Sequence, residues 1–206
     1  MCRFLLMSSS RRENLGYLEH AHGQLRRLFG DGPKRVLLIP YASVRVSYDA
    51  FEETVAAPFA RLGLTITSIH HFPDPVGAVR EAEALAVAGG NTFVLLRGIQ
   101  ENGLLQPVRD RVAAGMPYVG WSAGANVACP TIRTSNDMAI VMPPSFEGFG
   151  LVPFQINPHF IPGRPPGHNV ETREERLQEF MLANPAENVL ALPEGSALLC
   201  EAWCRV

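Results

Sequence analysis

Apolar positions along this chain follow two rhythms. Strand-like runs stand at Arg3 to Met7, Val36 to Pro40, Leu64 to Ile69, Leu85 to Ala88 and Tyr118 to Trp121, that at Val36 to Pro40 being unbroken apolar, and between them apolar residues return at helical spacing. An unbroken short run bounded by turn residues predicts a strand buried on both faces, and helical spacing between such runs predicts crossover helices. Leu15, Leu18, Leu25, Leu28 and Phe29 predict the inner face of a first helix that stops at Gly30. A second helix is predicted over Tyr48 to Leu62, with Gly63 as its stop. Asp74-Pro75 supplies an N-cap followed by proline at the first helical position, so a third runs to about Ala82. Helices are also predicted over Val108 to Ala114, Ala123 to Ala128 and Glu171 to Leu182. Late strands are predicted at Phe154 to Asn157, leading into Pro158-His159-Phe160, at Val189 to Pro193, leading into Glu194-Gly195, and at Ala197 to Trp203. Strands alternating with helices imply an α/β fold with a mostly parallel central sheet covered by helices on both faces.

Composition narrows the class. With 206 residues, 47% hydrophobic and 18% charged, the chain reads as one domain spanning 1–206, large enough to bury a substantial core. A formal net charge of -2 and a pI near 6.3 give no overall attraction to nucleic acid or anionic membranes. The paired basic residues, Arg11-Arg12 among them, read as solvated surface. No apolar run approaches the ~18 residues of a membrane span. The N-terminal apolar stretch is too short for a signal segment, so a reducing compartment is expected. Cys2, Cys129, Cys200 and Cys204 lack metal-binding spacing and are expected as buried or free thiols.

The most informative stretch is Tyr118-Val119-Gly120-Trp121-Ser122-Ala123-Gly124-Ala125-Asn126. An apolar strand runs into a serine flanked by glycines, and small helix-compatible residues follow. In a G-x-S-x-G elbow the serine occupies a strained strand-to-helix turn that lifts its hydroxyl above the sheet edge. The same pattern also fits an ordinary βα turn in which Ser122 merely caps the helix. A serine hydroxyl needs a base, and the base needs an acid to orient it. His159, just past a predicted strand, is the candidate base, with His168 in the Pro/Gly-rich segment as second choice. Asp137 in a polar loop and Glu194 at a strand end are the candidate acids, and spacing does not choose between them. Gly89-Gly90-Asn91, between a strand end and a helix start, exposes backbone N–H groups suited to an anion or a developing oxyanion. A dinucleotide fold is disfavoured because the early strand-helix junctions lack G-x-G-x-x-G spacing.

Five separated segments in order closely resemble the peptidase E, or α-aspartyl dipeptidase, family. They are Gly120 to Asn126, Ala128-Cys129-Pro130-Thr131-Ile132-Arg133-Thr134 with Asn136-Asp137-Met138, Gln155 to Phe160, Glu171-Thr172-Arg173-Glu174, and Leu192-Pro193-Glu194-Gly195. The resemblance covers nearly the whole chain. It implies a fold like that of class I glutamine amidotransferases and cytoplasmic hydrolysis of dipeptides with N-terminal aspartate, without metal or cofactor. Carried over, Ser122 is the nucleophile and His159 its base. The third member matches Asp137 or Glu194, with Asp137 placed slightly ahead. The oxyanion donors would be the backbone N–H groups of Gly90 and Ala123. Where the family has a glycine triplet before Asn-Thr-Phe, this chain has Ala88-Gly89-Gly90, and a positive φ at Ala88 would strain that turn.

A buried aspartate side chain on the substrate calls for a fixed cation, and Arg173, ahead of Arg133, is the expected partner. The free substrate amine calls for an acceptor, for which Glu171 or Asn91 could serve. The Pro/Gly-rich Ile161 to Gly167 reads as an active-site flap or a surface loop. The expected partner is a small Asp-Xaa peptide, and a homodimer is compatible with the sequence. Two other readings stay open: a cyanophycinase-like hydrolase of β-aspartyl linkages, which would prefer β- over α-linked substrates, and a non-catalytic binding module, which would tolerate loss of Ser122.

Overall fold

A computed structural model describes residues 3–32, 34–164, 166–167 and 169–201. His168, Cys2, Cys204 and the end of the predicted last strand lie outside the described residues. Strands β1 (Phe4–Met7), β2 (Arg35–Ile39), β3 (Thr65–Ser68), β4 (Ala84–Val87) and β5 (Tyr118–Trp121) alternate with helices. The helices are α1 (His22–Phe29), α2 (Tyr48–Ala60), α3 (Pro75–Glu81), α4 (Thr92–Glu101), α5 (Leu105–Ala113) and α6 (Ala123–Val127). Strands β6 (Gln155–Phe160), β7 (Val189–Pro193) and β8 (Ala197–Cys200) follow, with α7 (Arg173–Ala183) between β6 and β7.

The main sheet has the order β3-β2-β4-β5-β1-β8. All its pairings are parallel except β1 with β8 at one edge. Both faces are buried, as unbroken apolar strands require. Phe4, Leu6, Leu85, Val87 and Tyr118 belong to one core cluster, and Leu5, Met7, Ala84, Ala86, Val119 and Trp121 to the other. The two clusters divide neighbouring residues by the period of two that sets successive side chains on opposite faces of a sheet. Strands β6 and β7 form a separate parallel pair, fastened to the main body by polar bonds. Asn126 Nδ2 and Thr134 Oγ1 both donate to the Ile156 carbonyl, at 2.7 and 2.8 Å, and the Ser8 hydroxyl donates to the Leu192 carbonyl at 3.0 Å.

Local rules account for several element ends. Asp74 caps α3 by accepting from Gly77 N at 2.9 Å, with Pro75 at the first helical position. The start of α7 carries a reciprocal capping box between Thr172 and Glu175. The predicted first helix is shorter than expected. Leu18 takes a left-handed conformation (φ 56) ahead of a single 3-10 turn, and Leu15 is 43% exposed. Its apolar side chain matched helical spacing without facing the core. Helix α5 begins at Leu105, ahead of the expected Val108, and α7 at Arg173, two residues after Glu171. Strand β6 runs through His159 to Phe160, past its expected end at Asn157.

Candidate active site

The carboxyl ends of the parallel strands are where an open α/β sheet places its site. There β1 gives way to Ser8-Ser9, β4 to Gly89-Gly90 and β5 to Ser122. Ser122 sits at φ 54, ψ -112, a region costly for a residue with a side chain. The surroundings hold it there. Its N–H donates to the Met7 carbonyl at 3.0 Å, while its carbonyl accepts from Ala125 N and Asn126 N. The flanking glycines allow α6 to lie directly on the sheet. A Cβ on Gly124 would come within 2.0 Å of the Val87 carbonyl oxygen, and one on Gly120 within 2.4 Å of the Gly124 carbonyl oxygen.

His159 also has positive φ (55), at the register shift between Asn157 and Phe160 in the β6–β7 pair. That irregularity turns its ring toward the elbow. Its Nε2 lies 2.8 Å from Ser122 Oγ, and its Nδ1 contacts Glu194 Oε1. Ser122, His159 and Glu194 thus form one continuous chain of polar contacts. Burial works against ionisation of Glu194, but hydrogen bonds with Ser9 and His159 outweigh it and hold the carboxyl below its usual range.

The acid beside the imidazole is Glu194, so placing Asp137 ahead of it does not match the geometry. Asp137 Oδ2 instead accepts from Thr92 N at 2.8 Å and Thr92 Oγ1 at 2.6 Å, at the N-terminus of α4. An anion at that position is favoured by the exposed N–H groups and the helix dipole. Asn91 is occupied in the same place. Its Oδ1 caps Phe93 N and Val94 N, and its Nδ2 donates to the Met138 carbonyl.

Gly90 has φ +141, and a Cβ there would come within 2.3 Å of the Ala42 carbonyl oxygen, so only glycine fits this turn. Ala88 has no positive φ, and the strain expected there is absent. Among the described residues no acceptor takes the N–H of Gly90 or of Ala123. Gly89 packs against the Ser122 side chain, where an added Cβ would lie 3.0 Å from Ser122 Cβ.

A cavity of about 370 Å³ opens over this group, lined among others by Ser9, Arg11, Tyr17, Phe51, Trp121 and His159. Tyr17 accepts from Trp121 Nε1 at 3.0 Å, and burial pushes its phenol up to about 12, so it stays a neutral wall. A roomier hollow of about 770 Å³ beside β7 and β8 is lined by apolar side chains with Asn188 and Cys200. No His, Asp or Glu lines it, whereas Ser122, His159 and Glu194 line the smaller cavity.

The two candidate arginines differ in their commitments. Arg133 bonds Glu187, Asn184 and Thr131 and stacks over the Phe180 ring at 5.1 Å. Arg173 has no carboxylate partner among the described residues. Its Nη1 donates to Asn136 Oδ1, and burial, then the like charge of Arg176, lowers its pKa. Asn136 in turn donates to the Pro158 carbonyl at 2.6 Å and accepts from Asn157 Nδ2 at 2.8 Å. It therefore links Arg173 to the residues just before His159. Glu171 is exposed and unpaired among the described residues. Glu174 Oε1 accepts from Gly163 N at 2.6 Å, fastening the Ile161 to Gly167 segment to α7.

Sequence reasoning missed Ser8, Ser9, Arg11, Tyr17 and Asn136. A readable signal existed for the serines, since a polar run stands directly at the carboxyl end of a central apolar strand. Arg11, read as solvated surface, lines the cavity and lies 5.6 Å over the Tyr17 ring.

Comparison with known proteins agrees with this picture. The chain is 49% identical over 199 residues to peptidase E of Pasteurella multocida Pm70, covering 96% of this chain and 85% of that one. It is 48% identical to peptidase E of Haemophilus influenzae Rd, covering 96% and 91%. Its fold matches the crystal structure of a peptidase E candidate from Listeria monocytogenes EGD-e with TM-score 0.71 at 21% identity, covering 97% and 94%. A peptidase from an acI-B1 Actinobacterium matches with TM-score 0.68 at 20% identity, covering 97% and 83%. The family model of peptidase family S51 matches residues 4–202, and this chain belongs to that family.

Proposed function

We propose that residues 1–206 form one serine peptidase domain that acts in the cytoplasm and removes N-terminal aspartate from dipeptides through an aspartyl-serine intermediate. The observation that carries this reading is the unbroken Ser122–His159–Glu194 chain at the carboxyl ends of the strands. His159 Nε2 takes the hydroxyl proton as Ser122 Oγ attacks the carbonyl carbon of the N-terminal residue. Glu194 holds the ring through Nδ1 and stabilises the imidazolium. The negative charge that develops on the carbonyl oxygen is met by the N–H groups of Gly90 and Ala123. His159 then gives its proton to the departing amine. A water, deprotonated by the same imidazole, releases aspartate and restores Ser122. These steps draw on no metal or cofactor.

Specificity for aspartate rests on Arg173, a partly buried cation whose described acceptor is a neutral amide. Arg11, in the cavity wall, adds positive potential at the entrance. A small cavity bounded by Tyr17, Phe51 and Trp121 suits a short peptide. The names of the relatives, peptidase E, agree with this assignment. The test is hydrolysis of Asp-Leu by the native protein and by Ser122→Ala. Activity is expected for the first and background for the second, and equal rates would reject Ser122 as nucleophile. A faster reaction with a β-linked aspartyl dipeptide than with the α-linked one would reject the substrate class.

A further inference from the structure

A second cluster of reactive side chains, none of which lines the Ser122 cavity, joins α2 to the turn after β3. Asp49 and Glu52 are three residues apart on α2, which places them on one face of the helix. His70 and His71 form the 3-10 turn that follows β3. One ligand atom from each of the four lies within 4.8 Å of all the others. We propose that these four residues form a binding site for a divalent transition-metal ion of the zinc class, separate from the catalytic group.

The separations fit such an ion. Bonds of ~2.0–2.2 Å in a tetrahedron put ligand atoms about 3.4 Å apart. Here His71 Nε2 lies 2.7 Å from Glu52 Oε2 and 3.8 Å from Asp49 Oδ1, and His70 Nε2 lies 2.9 Å from Asp49 Oδ1. These values straddle the tetrahedral spacing, so small side-chain shifts open the centre. Two imidazole nitrogens with two carboxylate oxygens suit zinc, cobalt, nickel or copper better than magnesium or calcium, which take all-oxygen shells. The two carboxylates also supply two formal negative charges against a dication.

The donors are held in place from behind. His70 Nδ1 lies 2.7 Å from the hydroxyl of Ser68, which is fully buried, and Ser68 N donates to Glu52 Oε1 at 2.9 Å. A hydrogen-bond partner on the far nitrogen of an imidazole fixes the ring and leaves Nε2 to face the metal. The His70 and His71 rings pack together, tilted by 38° with centroids 3.9 Å apart, and Tyr48 packs on His70 at 5.4 Å. Glu52 and His70 have largely buried side chains, while Asp49 and His71 are open to solvent. An ion therefore has a rigid half-site to enter and an exposed side to enter from. Bound there, it fastens the first turns of α2 to the end of β3. Phe51, which lines the catalytic cavity, lies between the two carboxylates in sequence.

The alternative is that the four residues form only paired imidazole-carboxylate contacts. Titrating chelator-treated protein with ZnCl₂ in a calorimeter, and with CoCl₂ in an absorption spectrometer, separates the two. One zinc per chain is expected, with cobalt giving visible bands of a nitrogen-oxygen site and no thiolate charge-transfer band. His71→Asn, at an exposed position that keeps the fold, and Glu52→Gln should each weaken zinc by at least about tenfold, the lower end of losses seen when a metal site is perturbed. Cys200→Ser should leave it unchanged. Saturating zinc should raise the melting temperature of the native chain and not that of His71→Asn. Absence of saturable binding, equal affinity in His71→Asn, or a thiolate band from cobalt would each overturn the site.

Discussion

The backbone N–H of His159 donates to the hydroxyl of Ser8 at 2.9 Å, although the two residues are 151 positions apart. The same hydroxyl donates to the carbonyl of Leu192 at 3.0 Å, two residues before Glu194. Ser8 is fully buried at the end of β1, the strand that pairs with the nucleophile strand β5. One hydroxyl thus ties the strands that carry His159 and lead into Glu194 to the sheet that carries Ser122. It also supports the positive φ of His159, a conformation that costs about 1–3 kcal/mol when nothing enforces it.

Ser8→Ala is therefore expected to act on catalysis as well as stability. It leaves a partly buried N–H and a buried carbonyl without this partner, at up to about 1–3 kcal/mol per unsatisfied group. Loosening the base by about 1 Å costs up to ~10²-fold in rate. Steady-state kinetics should show kcat for Asp-Leu lowered about 10- to 100-fold with KM little changed. A melting curve run in parallel gives the folded fraction, and a kcat that falls only in proportion to that fraction would remove Ser8 from the positioning role.

Glu194→Gln and Asp137→Asn should separate cleanly. An amide at 194 can no longer stabilise the imidazolium, and the corresponding change in a serine triad lowers kcat by about 10⁴. Asp137→Asn instead weakens a charged cap on α4, costing about 0.5–2 kcal/mol of stability with kcat near native. Urea unfolding and kcat on both variants check this. The reverse pattern, with rate lost at 137 and kept at 194, would return the acid role to Asp137.

That choice shows what the sequence could and could not carry. The elbow at Ser122 was readable because its strain and its small neighbours are local. So was the start of α3, where Asp74 and Pro75 act within one turn. The acid was not readable, because Glu194 meets His159 through the pairing of β6 with β7, a contact between segments 35 residues apart. Spacing does not choose between the two and the resemblance puts Asp137 slightly ahead, yet folding commits it to Thr92. Leu15 misled for the opposite reason. It kept helical spacing with Leu18 and Leu25, but the left-handed turn at Leu18 breaks the helix before that spacing has any effect.

Acid stability should fall through a defined window. Glu83 accepts from Lys34 N, Arg35 N and the Arg35 side chain, and these bonds lower its carboxyl from 4.5 to about 2. Glu194 is shifted in the same direction. A carboxyl depressed in the folded state is ionised there while the unfolded chain still binds a proton, so stability rises with pH across that interval. The contribution is complete above about 4.5 and disappears as pH drops toward about 2. Melting temperatures of native protein and Glu83→Gln should differ most at neutral pH and converge near the acid end. A constant gap from neutral pH to the acid end would show that the Glu83 charge does not contribute.

The two cations near the site lead to opposite expectations. Arg173 is partly desolvated and bonds the neutral side chain of Asn136. A substrate carboxylate placed against it gains a charge-assisted bond worth about 1.5–3 kcal/mol, or roughly 10- to 150-fold. Arg173→Met should therefore lower kcat/KM for Asp-Leu by that factor while changing Asn-Leu little, and Arg173→Lys should restore part of it, since a lone ammonium offers charge without the bidentate fork. Arg11 lies over the Tyr17 ring in the cavity wall, an exposed residue whose field acts through solvent. Arg11→Met should cost only a few-fold, in a manner that fades as salt is added, because screening over a Debye length of about 10 Å at 0.1 M removes such steering. The decisive measurement is the Asp-Leu to Asn-Leu ratio of kcat/KM in each variant at low and high salt. If that ratio collapses in Arg11→Met and survives in Arg173→Met, the substrate carboxylate sits at the cavity wall, and Arg173 instead serves to hold Asn136 behind the base.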